Sequence, residues 1–195
     1  AAADVVVLAG DTFENNRLPL ALLDKAARLM ADSGAEVVIL PGNHDPLIRE
    51  SAFHRGGFEN LPNVHVLGLT HDRAVPFPAM DLEIWGHAHI DYDDMTPLRR
   101  PRRRTTRWQI AIAHGHYEPA PDRRTVLRPS WLIGDRDITA SGADYVALGH
   151  WNLAKRVGNC AVPAYYSGSP ELAGTVNVVR LKNSGRVGVE RRKIR

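Results

Sequence analysis

Two unbroken apolar runs, Val5-Val6-Val7-Leu8-Ala9 and Val37-Val38-Ile39-Leu40, stand on either side of one helical repeat. A β-branched run without alternation reads as a strand buried on both faces, the pattern of a parallel sheet. Between the runs, Leu22, Leu23, Ala26, Leu29 and Met30 recur at helical spacing within 18–33, and Gly34 stands where a helix-ending glycine belongs. Strand, helix and strand in so short a span predict a βαβ unit with a parallel pair. In open α/β sheets, ligands lie just past the carboxyl ends of the strands. At those ends the chain reads Gly10-Asp11 and Pro41-Gly42-Asn43-His44-Asp45.

From Asn63 onward the texture changes to short strands, predicted over 64–69, 81–85, 108–113, 145–148 and 165–166. Residues 176–181 and 186–193, joined by Asn183-Ser184-Gly185, read as a C-terminal hairpin. Residues 91–106 form a polar, Arg-rich connection. A βαβ start followed by mostly strand argues for α+β or mixed-sheet α/β architecture, and 195 residues suit a single domain over 1–195.

Composition excludes several classes. The chain is 44% hydrophobic and 24% charged, and no apolar run approaches the roughly 18 residues of a membrane span. A formal charge of +3 permits a polyanionic substrate without demanding one. Cys160 is the single cysteine, which rules out an internal disulfide framework and fits a reducing, cytoplasmic setting. No charged stretch precedes an apolar one at the N-terminus, so no secretory signal is expected.

The chemistry concentrates in four segments, each placing polar residues directly after an apolar strand: Gly10-Asp11, Gly42-Asn43-His44-Asp45, His114-Gly115-His116 and Gly149-His150-Trp151-Asn152. Glycine beside each polar residue allows a tight exit and close approach of backbone to a ligand. Carboxylate, amide and imidazole together make a mixed oxygen and nitrogen donor set suited to manganese, iron, zinc or a similar divalent ion. Two such ions about 3.5–4 Å apart can clamp a phosphate and activate a water for in-line attack. Taken singly, Asp11 reads as a turn residue and His114 as a satisfied core histidine. The four segments in this order do not.

In that order they resemble the successive blocks of calcineurin-like metallophosphoesterases, and the Gly-Asn-His-Asp block carries most of the specificity. Tyr166-Ser167-Gly168-Ser169-Pro170-Glu171, following Asp144 to His150, is similar to the bacterial DNA-repair exonuclease branch that includes the SbcCD nuclease subunit. The resemblance implies a four-layer αββα sandwich of two mixed sheets. It implies that Asp11 bridges two divalent metals, manganese first, with iron, zinc or magnesium as alternatives. Asn43, His114 and His150 would complete the shell of one metal. His44 would face the scissile phosphate as general acid or electrostatic stabiliser, held by Asp45.

Two departures qualify the match. The family's opening Asp-X-His block has no counterpart, because the chain begins Ala1-Ala2-Ala3-Asp4 directly before the first apolar run. The expectation is an N-terminally incomplete domain whose first strand and helix lie in a preceding segment. The last block should read Gly-His-X-His, but Asn152 holds the final position. The other metal would then keep only Asp11 and the weaker amide of Asn152, so one metal or none is expected for this chain. Trp85-Gly86-His87-Ala88-His89 matches the last block better, yet it precedes the His114 strand, and it is expected to be a polar strand exit. The run 99–104 with Arg107 lacks the interleaved aromatics of a nucleic-acid platform, and it is expected to be a solvated, mobile loop offset by Asp91, Asp93 and Asp94.

The function expected is metal-dependent hydrolysis of phosphodiesters, with DNA as the polymer substrate and a partner ATPase subunit in the resembling branch. Rival expectations are a hydrolase of small phosphate esters or nucleotides, and a degenerate binding or scaffold protein that keeps the fold with at most one metal.

Overall fold

The computed structural model describes residues 3–93, 97–99, 101–122, 124 and 131–194. Asp94 and Arg100 of the Arg-rich connection, and Ala1 and Ala2, lie outside the described residues. The βαβ unit consists of Val5–Ala9 (β1), Leu20–Ala31 (α1) and Glu36–Leu40 (β2), with β1 and β2 parallel. Ala52–Arg55 forms a short α2, and Val64–Val66 (β3) joins β2 in parallel, giving a three-stranded sheet of order β1-β2-β3.

The chain continues through Ala74–Phe77 (β4), Leu82–Gly86 (β5), Trp108–His114 (β6), His116–Tyr117 (β7), Leu132–Ile133 (β8), Asp135–Ala140 (α3), Tyr145–Gly149 (β9), Lys155–Val157 (β10) and Ala164–Tyr166 (β11). Six of these strands make a mixed sheet of order β10-β11-β9-β6-β5-β4. Its inner strands β11, β9, β6 and β5 are parallel, and its edges β10 and β4 run antiparallel to their neighbours. Strands β7 and β8 pair separately. After Pro170–Ala173 (α4), Thr175–Leu181 (β12) and Val187–Lys193 (β13) close the predicted hairpin.

Alternation along the strands builds the layers, because successive side chains point to opposite faces. From β2, Val37 and Ile39 face the helices with Leu23, Ala27, Phe53 and Phe58, while Val38 and Leu40 face the second sheet. There they meet Ile84 of β5, Ile110 and Ile112 of β6, and Tyr145 of β9, with Val179 and Val187 of the hairpin packed alongside. The opposite face of the large sheet, with Trp85, Ala111, Ala113, Val146 and Leu148, is covered by Ile133 and by Ile138 of α3. Helix, sheet, sheet and helix are thus four layers around one inter-sheet core.

The differences from expectation have physical causes. Helix α1 opens after Pro19, which takes an extended ψ of 141°, so Leu18 and Pro19 lie outside it. Its buried stripe is Leu23 and Ala27 with partly buried Ala26 and Met30, whereas Leu22 and Leu29 are exposed at 47% and 65%. Strand β4 carries Pro76, which argues against a central strand but is tolerated at the sheet edge β4 occupies. The Arg-rich connection is solvent-exposed, as expected, but three of its arginines are tied down. Arg102 Nε donates to buried Glu83 at 2.7 Å, Arg104 Nη1 to Asp144 at 2.7 Å, and Arg107 Nη2 to the Asn183 carbonyl at 2.6 Å. Glu83 and Asp144 thus take up charge from Arg102 and Arg104.

Candidate metal centre

The parallel strands β1, β2, β6 and β9 all end at one edge of the sandwich, and their exits bring the predicted residues together. The chain leaves β1 through Gly10 and Asp11, both left-handed at φ 90° and 52°. Asp11 is held there from two sides. Its Oδ1 accepts the backbone N–H of His44 at 2.9 Å, and its Oδ2 lies 3.1 Å from His114 Nε2. Asn43 Oδ1 lies 2.9 Å from His114 Nε2 and 3.2 Å from His150 Nδ1. Ligand atoms of Asp11, His114 and His150 fall within 4.8 Å of one another. His150 has φ 103°, a conformation costly for a side-chain-bearing residue and concentrated at functional sites. Gly149 beside it is sterically required, since a Cβ there would run into the Ala9 carbonyl oxygen.

Hydrogen bonding shows what the cluster lacks. His114 is fully buried, and its Nδ1 lies 2.8 Å from the Ala9 carbonyl, which can only accept, so Nδ1 carries the proton. A neutral His114 then turns the lone pair of Nε2 toward Asp11 Oδ2 and Asn43 Oδ1, two further electron-pair donors. A second proton or a cation satisfies such a set, and the oxygen and nitrogen mixture suits a divalent transition ion. Burial first, then the charge His114 carries when doubly protonated, pushes His150 down to about 4, so this imidazole is neutral near neutral pH and ready to ligate. Burial alone would raise Asp11, but without a cation the hydrogen bond and charge of a doubly protonated His114, with the His44 N–H, hold the carboxyl below its usual range. The site therefore fits a metal with Asp11, Asn43, His114 and His150 as ligands.

The relation expected between His44 and Asp45 is corrected. Asp45 is fully buried and accepts from the backbone N–H of Gly42 at 2.7 Å and of Phe13 at 3.0 Å. It fastens the two loops that carry Asp11 and Asn43 and does not orient His44. His44 is exposed, and its Nδ1 lies 3.1 Å from the Glu14 carbonyl oxygen and 3.6 Å from the Glu14 carboxylate. Asp45→Ala would strip an acceptor from two backbone donors, and a loss of about 2–4 kcal/mol in denaturant unfolding is expected. Burial pushes Asp45 up to about 6, against its two N–H donors, from the ordinary 3.8. The folded state holds the extra proton between these values, so this contribution to stability is full below pH 3.8 and declines as pH rises through about 6. Asp45→Asn should flatten that slope.

Asn152 is exposed after β9, and its carbonyl accepts the Ser169 N–H at 3.1 Å. His87 Nε2 sits 3.0 Å from Arg73 Nη2. His89 is buried under the centre. Its Nε2 donates to the His114 carbonyl at 3.2 Å, and burial, with His114 next, pushes it down to about 4. Neither imidazole belongs to the converging set. The sequence reading assigned no role to His116, although it falls on the same alternate-residue register as His114, nor to Trp151 and Trp131. Their rings gather around His150: His116 at 6.4 Å and Trp131 at 5.8 Å, with Trp151 5.3 Å from His116.

A carboxylate, an amide and two imidazoles meet at the strand exits of a four-layer sandwich, a donor set suited to a divalent metal. The family model described as calcineurin-like phosphoesterase matches residues 1–152, and the chain belongs to that family of phosphoesterase hydrolases. No curated protein matches it in sequence. Among solved structures, the protein TT1561 of Thermus thermophilus is similar at 13% identity and a TM-score of 0.61, over 96% of this chain and 86% of that one. Another shares 17% identity at a TM-score of 0.54, over 88% of this chain and 71% of its own. At such identities the likeness is one of fold. Among the described residues no helix is long and apolar enough to cross a membrane.

Proposed function

We propose that this protein hydrolyses phosphodiester bonds at a divalent cation, manganese in the first instance, held by Asp11, Asn43, His114 and His150. The observation that carries the reading is the meeting of Asp11 Oδ2, Asn43 Oδ1 and His114 Nε2 at 2.9–3.1 Å, with the Ala9 carbonyl taking the Nδ1 proton of His114. A divalent ion bound there supplies positive charge against a phosphate and lowers the pKa of a water molecule. The protein's own part is orientation. The Ala9 carbonyl fixes the His114 tautomer, Asp45 clamps the two loops, and His44, tied to Asp11 through its backbone, presents an exposed imidazole beside the cluster as the phosphate-facing donor.

DNA is the polymer substrate proposed. Small phosphate esters are the second reading, favoured because Arg102, Arg104 and Arg107 are engaged with Glu83, Asp144 and the Asn183 carbonyl. Hydrolysis of bis(p-nitrophenyl) phosphate should require manganese, stop on chelation and return on readdition. Cleavage of single-stranded DNA under the same conditions separates the two substrates. Turnover indifferent to chelation would contradict the reading.

A further inference from the structure

The segment Gly149-His150-Trp151-Asn152 does more than supply His150. Trp151 Nε1–H can only donate, and it lies 3.0 Å from His116 Nδ1, so that nitrogen is the acceptor. A neutral His116 is thereby fixed with its proton on Nε2. Trp151 is itself immobilised. It stacks on Tyr166 at 4.4 Å and 11°, Lys155 Nζ lies 5.4 Å from its ring centroid, and the Tyr166 hydroxyl donates to the Gly115 carbonyl at 2.6 Å. That last bond ties the clamp to the residue between His114 and His116. The Gly115 N–H in turn donates to the Gly149 carbonyl at 3.2 Å, locking the β6 exit to the β9 exit. His116 is nevertheless exposed, and its ring stands 6.4 Å from that of His150.

A partly buried indole clamped on a solvent-exposed imidazole serves no packing purpose for the imidazole itself. What it accomplishes is directional: one N–H donor, of known tautomer, fixed beside the ligand His150. His44 meets the centre at Asp11, whose Oδ1 accepts its backbone N–H. We propose that His116 is a substrate-contacting residue that donates Nε2–H to a non-bridging phosphate oxygen, with Trp151 as the positioning residue that sets its tautomer. The centre then holds the phosphate through a neutral donor beside His150 in addition to His44. This inference rests on the proposed phosphoesterase reading.

The test uses inorganic phosphate as the probe and calorimetry on manganese-loaded protein. His116→Ala should leave manganese affinity within about twofold, because His116 ligates nothing. It should weaken phosphate binding about tenfold, the effect of one hydrogen bond to a charged group. His116→Gln, which restores an N–H donor, should recover most of that loss. Trp151→Phe keeps the stack but frees the tautomer, and nitrogen chemical shifts of His116 at alkaline pH should change from the Nε2–H form to a mixture, with an intermediate loss of phosphate affinity. Unchanged phosphate binding in His116→Ala overturns this inference and leaves the metal centre standing. Loss of manganese in parallel with phosphate makes His116 a ligand and also overturns it. Wild-type protein that binds no manganese overturns both readings.

Discussion

Replacing His44 by Ala is expected to lower phosphodiester turnover by about 10²–10⁴-fold, the range for a group that assists proton transfer or stabilises charge in the transition state. Manganese content should not change. His44 touches the centre only through its backbone N–H on Asp11 Oδ1, a bond that alanine also makes, and its ring lies against Glu14 rather than among the converging donors. The split between activity and metal content is the diagnostic part. If metal leaves with activity, His44 is a ligand and its assignment as the phosphate-facing group is wrong. Glu14→Gln should have a far smaller effect, because the exposed carboxylate 3.6 Å from His44 Nδ1 contributes little in water.

The second large effect is expected at Asn43. Its Oδ1 is the atom shared by both imidazoles, at 2.9 Å from His114 Nε2 and 3.2 Å from His150 Nδ1. Asn43→Ala removes a donor to the cation and leaves the strand exit itself intact, since the loop is fastened by Asp45 on Gly42 and Phe13. Manganese affinity should fall by more than the about 10–100-fold typical of losing an outer partner of a ligand. His114→Ala should do the same and also lower thermal stability, because it removes a fully buried ring and orphans the Ala9 carbonyl. His87→Ala, by contrast, should leave affinity unaltered, since its Nε2 faces Arg73. Calorimetric titration with manganese checks all three. Equal losses for His87 and Asn43 would break the assignment of blocks along the chain.

Much of this was legible in the sequence, for reasons that differ by residue. The unbroken runs of β1 and β2 read as strands buried on both faces; β2 is one, whereas β1 lies at the sheet edge with Val6 exposed, yet the exits of both, and with them Asp11 and Asn43, were placed by pattern. His114 and His150 followed because each stands at the end of another apolar run. The asymmetric ends of the large sheet were not legible: β4 carries Pro76 and β10 reads Lys155-Arg156-Val157, because edge strands escape the burial that writes a pattern. The partners of Asp45 were also hidden. Adjacency in sequence suggested His44, but the acceptors serve the backbone of Gly42 and Phe13, and a hydrogen bond to a distant N–H leaves no mark on composition. The arginines misled similarly. Their anions are Glu83 of β5 and Asp144 just before β9, and only the fold brings them into reach.

The central claim is that the exits of β1, β2, β6 and β9 converge on one cation. Crystals of the protein grown with manganese, measured on both sides of the manganese absorption edge, test it most directly. The account predicts one anomalous peak within bonding reach of Asp11 Oδ2, Asn43 Oδ1, His114 Nε2 and His150. A peak held instead by His87 and His89, two fully occupied ions in this chain, or no peak with Asn43, His114 and His150 turned away from one another, would contradict it.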